Sequence, residues 1–277
     1  MSYRYYYIKI KSLLVLWLKF AFNYKVSGRF TKIREDDVFL VSYPKSGNTW
    51  MRFLTANLIS EDNVNFNNFN SIVPDMYQTL RDDLEKYPSP RIIKSHEAYT
   101  KKYPKVIYIF RDPRDVVISF YYWQKKYMKG FSDTMPGFIE KFIQGRESRY
   151  GRWDAHLRSW FSSPLATEGR ILILKYEDMK EDTCCALRKV AHFLGIAVDD
   201  DAILKAVQNS DFKNMQKLEA AQMETSLFFK NSDNRILFVR SGKSEWRDHF
   251  TDVLKEKFKR QYGKMLIDLG YERDENW

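Results

Sequence analysis

Four short apolar runs stand out along the chain, separated by segments in which apolar residues recur at helical spacing. The runs are rich in Val, Ile and Leu and lack strict alternation of apolar and polar positions, which is typical of strands buried in a parallel sheet. They cover Val38 to Ser42, Ile92 to Lys94, Val106 to Phe110 and Ile171 to Leu174.

The segments between and after these runs carry helical periodicity. Gly195, directly after the last of them, is a residue that commonly ends a helix. Because strands and helices alternate, we expect an α/β domain with a central parallel sheet, helices on both faces and ligands at the carboxyl edge. The predicted helices are Thr49 to Ile59, Pro113 to Tyr127, Gly151 to Trp160 and Thr183 to Leu194.

Two stretches show no clear periodicity. Residues 63–70, which are rich in Asn, and residues 216–234 are predicted to be mobile loops over the ligand site. No internal repeat and no linker rich in Pro, Gly or Ser divides the chain. We therefore expect residues 1–277 to form one domain, with residues 1–35 as an amphipathic extension packed on it.

The apolar segment of residues 8–22 is interrupted by Lys9, Lys11 and Lys19. Its longest uncharged run, Ser12 to Leu18, is too short to span a bilayer, and no small-residue cleavage site follows it. The segment is predicted to be an amphipathic helix packed on the domain. The alternative is a helix that contacts a membrane surface or a partner.

Charge and cysteine content narrow the function classes. Lys and Arg total 46 against 36 Asp and Glu, a net charge of +10 that favours anionic ligands such as nucleotides, sulfated or phosphorylated molecules, nucleic acid or acidic lipid. The two cysteines, Cys184 and Cys185, are adjacent and belong to no CxxC pattern. This arrangement disfavours a disulfide scaffold or a zinc site and fits a reducing, cytoplasmic setting.

A first candidate anion site lies where the first predicted strand turns into a helix. A corner of this kind directs backbone N–H groups and the positive end of the helix dipole at one point. Lys45 adds a mobile charge and Gly47 allows close approach of the backbone. The spacing is not that of a G-x-x-x-x-G-K-[ST] loop, and the alternative is a plain Pro-Gly turn. The corner consists of Pro44, Lys45, Ser46, Gly47, Asn48 and Thr49, followed by Trp50.

A second strand-to-helix corner places Arg111 before Pro113, a residue favoured in the first helical turn. Ser119 follows eight residues after Arg111, two turns along the predicted helix. A guanidinium and a hydroxyl together suit the oxygens of a phosphate group. The alternative is an ion pair of Arg111 with Asp112 or Asp115.

Among the four histidines, His96 is distinguished because it closes a short strand at the edge where both anion corners open. Lys94 lies two residues earlier, on the same face of that strand. His156 is predicted to be a packed structural residue. A neutral imidazole suits proton abstraction, and lysines suit developing negative charge. No acidic cluster that would hold Mg²⁺ is apparent.

These blocks resemble motifs of the cytosolic-type sulfotransferases that use 3′-phosphoadenosine 5′-phosphosulfate (PAPS). The segment from Tyr43 to Trp50 is similar to the 5′-phosphosulfate loop of that family, and Val106 to Ser119 to its 3′-phosphate motif. Lys94-Ser95-His96 resembles the family's K-T-H segment, with Ser in place of Thr.

Three later blocks extend the resemblance. Tyr176 to Met179 resembles a Y-E-D-M motif whose tyrosine contacts adenine, and Ser210 to Met215 an S-F-x-x-M segment in which Phe212 stacks on adenine. The block from Phe238 to Thr251 resembles R-K-G-x-x-G-D-W-K-x-x-F-T, but Ser241 replaces Lys and one residue is missing before Trp246. The family's dimer motif is degraded, because Asp252 stands where its valine would be.

The resemblance implies a Rossmann-like P-loop fold and sulfuryl transfer from PAPS to a hydroxyl or amine of a small molecule, lipid or saccharide, without a metal. His96 would be the base, assisted by Lys45 and Lys94. The alternatives are a non-catalytic sensor of 3′-phosphoadenosine nucleotides and a nucleic-acid or membrane-surface binder, which scattered charge disfavours. The donor would be held by Lys45, Ser46, Gly47, Asn48, Thr49, Trp50, Arg111, Ser119, Tyr176, Ser210, Phe212, Arg240, Ser241 and Gly242.

Overall fold

A computed structural model describes residues 26–240 and 242–277. The helix predicted over residues 8–22 and the candidate ligand Ser241 lie outside the described residues. Residues 26–35 lie against the segment before the second strand, because Arg81 N donates to Val26 O at 2.7 Å and Gly28 N to Thr79 O at 2.9 Å.

The central sheet has four parallel strands in the order β2-β1-β3-β4. All four runs predicted to be strands are strands, so the expectation of a parallel α/β sheet is confirmed. Because the strands are parallel and in register, their carboxyl ends meet at one edge. The strands are β1 (Val38–Ser42), β2 (Ile92–Ser95), β3 (Lys105–Phe110) and β4 (Ile171–Lys175).

The predicted helices also form, with small shifts at their ends. Gly195 ends the helix before it in the left-handed conformation, with φ 72°. The helices are α1 (Asn48–Ile59), α2 (Phe69–Ile72), α3 (Arg81–Leu84), α4 (Pro113–Tyr127), α5 (Met135–Ile143), α6 (Trp153–Phe161), α7 (Pro164–Thr167), α8 (Tyr176–Glu181), α9 (Thr183–Leu194), α10 (Asp200–Asn209), α11 (Phe212–Gln222), α12 (Trp246–His249) and α13 (Asp252–Asp268).

Helices cover both faces of the sheet. On β1, Phe39 and Val41 belong to one buried cluster, which includes apolar residues of α4, α5, α6 and α13. Val38 and Leu40 point the other way, into a cluster with residues of α1, α9 and α10. This alternation leaves the carboxyl edge of the sheet free for a ligand site.

The prediction of mobile loops at residues 63–70 and 216–234 is wrong in part, because residues 216–222 belong to α11. An aromatic cluster that periodicity does not reveal joins the two stretches. The ring centroids of Phe66 and Phe229 are 4.8 Å apart, and both side chains are buried. Gln222 Oε1 accepts a hydrogen bond of 2.9 Å from Phe66 N.

Candidate active site

A cavity of about 960 Å³ opens at the carboxyl edge of the sheet. Just past the carboxyl end of each strand lies a residue that lines the cavity. These are Lys45 after β1, His96 after β2, Arg111 after β3 and Tyr176 after β4. The topology therefore gathers the two anion corners and the candidate base around one space, although they are far apart in sequence.

The anion loop (residues 44–49) has a backbone that side chains rarely permit. Lys45 and Gly47 both have positive φ, 72° and 98°. A Cβ atom on Gly47 would lie 2.5 Å from Cδ2 of Tyr176, so only glycine fits there. Gly47 also precedes α1 and has no side chain with which to cap it, which leaves the first N–H groups of the helix available to an anion.

Two side chains of the anion loop are buried with unused hydrogen-bonding atoms. Asn48 Nδ2 donates to Leu40 O at 3.1 Å and to Ser42 Oγ at 3.3 Å, which ties the loop to β1. Within the described residues, Asn48 Oδ1 and Ser46 Oγ have no partner. A buried hydroxyl without a partner is costly, so Ser46 is suited to a ligand oxygen.

Lys45 extends into an aromatic part of the cavity. Its Nζ lies 4.7 Å from the centroid of the Phe238 ring and 6.0 Å from that of Trp123. Burial, and then the charges of Arg240 and Arg111, lower the pKa of Lys45 to about 7. A bound polyanion would reverse this shift and hold the ammonium in its charged form.

The second anion corner contains two guanidinium groups. Arg111 Nη1 donates to Lys45 O at 3.4 Å, which joins this corner to the anion loop. Arg240 Nη2 donates to Glu245 Oε2 at 2.5 Å. Arg111 Nε and Arg240 Nη1 are buried and have no partner in the part of the chain that the structure describes. Ser119, on α4, lines the same cavity.

Aromatic residues also line the cavity, next to the anion loop. Trp50 Nε1 donates to Ser210 O at 2.9 Å, and its ring meets that of Tyr176 edge to face at 5.7 Å. Phe212 lines the cavity with 37% of its surface exposed. Gly242 packs so closely on Phe212 that a Cβ would lie 3.0 Å from the ring. Ser210 is fully buried and orients Trp50 rather than lining the cavity.

The ring of His96 is held in a defined orientation. Its Nδ1 atom lies 2.7 Å from the carbonyl oxygen of Ser42, which only accepts, so Nδ1 carries the proton and Nε2 is free to accept one. Burial, followed by the charge of Lys94, holds the pKa of His96 well below its usual value of 6.5. His96 is therefore neutral near pH 7, as a general base must be.

Lys94 lines the cavity, but its ammonium is already paired. Nζ donates to Asp75 Oδ2 at 2.8 Å and lies 4.8 Å from the centroid of the Tyr77 ring. Burial lowers the pKa of Lys94, and Asp75 opposes that effect. The sequence analysis placed Lys94 among the catalytic residues but did not identify its partner Asp75, which belongs to no recognisable motif.

The structure also shows lining residues that the sequence analysis missed. Trp123 lies one turn after Ser119 on α4, and Phe238 precedes Arg240 by two residues. Because both are close to motif residues, the sequence could have identified them as lining residues. Tyr77 and Tyr150 carry no such signal. His156 is buried, with Nδ1 2.9 Å from Tyr108 Oη, and its predicted structural role is confirmed.

In residues 26–240 and 242–277, no group of three or more His, Cys, Asp or Glu side chains is placed to hold a metal ion. No helix of that same part of the chain is both long enough and apolar enough to cross a membrane.

Comparison with known proteins decides the family. The model of the sulfotransferase domain family matches residues 35–270. The chain belongs to the sulfotransferase domain family. Among its relatives, sulfotransferase 1 family member D1 of Mus musculus is 32% identical, with 85% of each chain covered. The amine sulfotransferase of Oryctolagus cuniculus is 29% identical and covers 86% of this chain and 83% of the relative.

Solved structures agree with this membership. The structure of mouse sulfotransferase SULT7A1 complexed with PAP matches this chain with a TM-score of 0.69 and 28% sequence identity. The match covers 87% of this chain and 89% of the mouse chain. A retinol dehydratase in complex with PAP and androsterone, at 20% identity and a TM-score of 0.71, supports the fold. The predicted class of the sulfotransferase, a PAPS-dependent enzyme with the P-loop sulfotransferase fold, is confirmed.

Proposed function

We propose that PAPS lies along the carboxyl edge of the sheet, with its 5′-phosphosulfate on the anion loop and its 3′-phosphate between Arg111, Ser119 and Arg240. The observation that carries this placement is the pair of buried guanidinium nitrogens, Arg111 Nε and Arg240 Nη1, which lack partners among the described residues. Buried donors of this kind are costly unless a ligand satisfies them.

Adenine would lie between the aromatic side chains of Trp50, Tyr176 and Phe212. These side chains line the cavity next to the anion loop, and flat rings suit a purine face. Gly242 supports the position of Phe212, and its carbonyl oxygen accepts a hydrogen bond from Lys180. The assignment of Ser241 to the donor site rests on the family motif alone.

The chemistry follows from the tautomer of His96. We propose that Nε2 takes the proton of the acceptor hydroxyl or amine as the acceptor atom bonds to sulfur. The bond from sulfur to the bridging oxygen breaks, and the electron pair stays on the phosphate of 3′,5′-ADP (PAP). Lys45 would stabilise that charge. A non-catalytic nucleotide sensor would have no need of such a base.

The acceptor would be a small molecule that enters between the aromatic side chains of Tyr77, Trp123 and Tyr150. These walls fit flat or apolar acceptors, including the small molecules and lipids considered from sequence, better than a saccharide. Screening hydroxyl and amine compounds with labelled PAPS tests this assignment. Transfer to saccharides alone would contradict it.

The donor site has a sharper test. Arg111→Met and Arg240→Met should each weaken PAP binding roughly 10- to 100-fold in calorimetry, because each removes a charged hydrogen bond to the 3′-phosphate. Adenosine 5′-phosphosulfate lacks that phosphate, so its affinity should change little in the same variants. Arg188→Met, which breaks an exposed pair with Asp200, is the control. Equal losses for both nucleotides would place the 3′-phosphate elsewhere.

We further propose a single domain and a cytoplasmic enzyme without a nucleic-acid partner. One sheet and its helices account for residues 38–268, which supports a single domain. One sheet with its helices thus forms the proposed domain.

The degraded dimer motif lies at the start of α13. Thr251 Oγ1 caps this helix by accepting a 3.4 Å hydrogen bond from Leu254 N, and Val253 is 64% exposed. Sedimentation of the full chain tests its oligomeric state, and flotation with acidic vesicles tests membrane contact through residues 8–22.

A further inference from the structure

Residues 73–77 form a short edge segment beside β2, next to the proposed reaction centre. Lys94 N donates to Pro74 O at 2.8 Å, and Met76 N donates to Lys94 O at 3.3 Å. From the other side, Arg52 Nε donates to Val73 O at 2.9 Å and Asn70 Oδ1 accepts from Asp75 N at 2.9 Å. The backbone of this segment is therefore fixed on both sides.

Asp75 is a carboxylate that lines a cavity otherwise rich in cationic side chains. It is 3% exposed, and both of its oxygens are used. Oδ2 accepts from Lys94 Nζ at 2.8 Å, and Oδ1 accepts from Tyr77 N at 2.9 Å. A buried negative charge next to a polyanionic donor opposes donor binding by Coulomb repulsion, so its presence calls for a compensating role.

Tyr77, in the same segment, holds the backbone of His96 and packs beside its ring. Its hydroxyl oxygen accepts from His96 N at 2.8 Å. The rings of Tyr77 and His96 are nearly parallel, with an interplanar angle of 12° and centroids 6.1 Å apart. Two residues of one segment thus contact Lys94 and His96 on the neighbouring strand end.

We propose that Asp75 is a positioning residue for sulfuryl transfer, which holds the Lys94 ammonium in place beside His96, with Tyr77 as its counterpart for His96. The proposal rests on the function proposed above. Asp75 acts only through Lys94 and does not touch the reacting atoms. Its contribution to the rate therefore depends on Lys94 being present.

The charges around Lys94 shift its pKa in opposite directions. Burial and the charges of Arg52, on α1, and Arg149, in the loop after α5, lower the pKa of Lys94, whereas Asp75 raises it. Lys45 and His96 line the same cavity, and the charge of Lys94 lowers the pKa of each. Without the Asp75 charge, the pKa of Lys94 falls further, and the ammonium is lost at a lower pH.

The experiment compares Asp75→Asn with the parent enzyme. Asn keeps the size of the side chain and an oxygen for Tyr77 N. We expect kcat to fall roughly 10-fold or more, since small misplacements at a reaction centre are costly. The alkaline limb of the pH profile of kcat should move to lower pH. PAP affinity, measured by calorimetry, should hold or increase because a negative charge has been removed.

A double-mutant cycle separates positioning from a structural role. If Asp75 acts through Lys94, adding Asp75→Asn to Lys94→Met should change kcat less than 2-fold. Glu147→Gln removes another carboxylate of the cavity, which bonds to Gln124, and should leave the alkaline limb in place.

Three results would overturn the inference. The first is an unchanged pH profile and kcat in Asp75→Asn. The second is a fold-reduction of kcat by Asp75→Asn in the Lys94→Met background as large as that in the parent enzyme. The third is weaker PAP binding by Asp75→Asn than by the parent enzyme. Failure of the parent chain to bind PAP would instead refute the proposed donor site, so the two failures are distinguishable.

Discussion

The Nδ1 atom of His96 lies 2.7 Å from the carbonyl oxygen of Ser42, at the end of the neighbouring strand. This contact fixes which ring nitrogen carries the proton and directs the basic Nε2 away from the sheet. Because β1 and β2 are parallel and adjacent, their ends bring the anion loop and His96 together. The proposed proton abstraction and the proposed donor binding thus depend on the ends of two adjacent strands and can be tested separately.

Replacing His96 by Ala should therefore reduce kcat roughly 10²- to 10⁴-fold, because a general base is lost. PAP affinity should barely change, since the proposed role places His96 against the acceptor and not against the nucleotide. Burial depresses the pKa of His96 below 6.5, so the acid limb of the parent enzyme should lie below pH 6.5. Steady-state rates over a pH series and calorimetry with PAP measure both. A comparable loss of PAP binding would argue against the role of a base.

Lys45 should take up a proton when the donor binds. Its pKa of about 7 means that the free enzyme is only partly protonated there, and a polyanion raises that pKa. We expect an uptake of roughly half a proton per PAP at pH 7 and nearly one at pH 8. Calorimetry in buffers of different ionisation enthalpy measures it.

Lys45→Arg provides the matched control for this proton uptake. Arginine stays charged at every relevant pH, so the variant should bind PAP without taking up a proton at this site. If the parent and Lys45→Arg took up equal numbers of protons, the proton would belong to another group.

Gly47→Ala should weaken PAP binding by 10-fold or more, because the added methyl group would lie 2.5 Å from Tyr176 on a backbone with φ 98°. Such backbone strain costs about 1–3 kcal/mol, before the displacement of the anion loop is counted. Gly130→Ala is the matched control. Its φ is 76°, but nothing lies within 4 Å of the added carbon. Equal PAP affinities for the two variants, measured by calorimetry, would show that close approach to Tyr176 is unimportant.

The sequence was sufficient for features that depend on local pattern. Lys45 and Arg111 each follow an apolar strand directly, and parallel strands must end at one edge, so their proximity could be predicted. Asp75 could not, because its contact with Lys94 depends on an edge segment with no strand pattern. The same holds for Phe66, whose ring packs on those of Phe228 and Phe229 and whose carbonyl oxygen accepts a hydrogen bond from Ser226, 160 residues further along the chain. Tertiary packing, which leaves little periodic signal, determined these positions.

Acid should destabilise the fold through its buried imidazoles. His156 donates from Nε2 to His96 O at 3.0 Å, and burial lowers its pKa from 6.5 to about 4. The unfolded chain then binds more protons than the folded one in this range, so stability is lost as pH falls from about 6.5 to about 4. The loss from His156 should reach roughly 3 kcal/mol. Denaturant unfolding of the parent and His156→Gln at several pH values measures it, and parallel pH curves would contradict it.

A buried ion pair should hold the segment that covers Lys45. Lys126 Nζ donates to Ile236 O at 2.6 Å and lies 3.9 Å from Glu219 Oε1, and both side chains are 1% exposed. Glu219 in turn accepts from Phe238 N at 2.6 Å and Val239 N at 2.7 Å. The pair thus fixes the backbone that places Phe238 against Lys45.

Lys126→Met should lower the free energy of unfolding by about 3–5 kcal/mol, because it leaves the charge of Glu219 buried without its partner. It should also weaken PAP binding, since residues 236–240 lose an anchor on α4. Lys141→Met breaks an exposed pair with Asp133 and should cost less than about 1 kcal/mol. Denaturant unfolding and PAP titration of both variants make the comparison. Normal PAP affinity in a destabilised Lys126→Met would limit the pair to stability and separate it from the donor site.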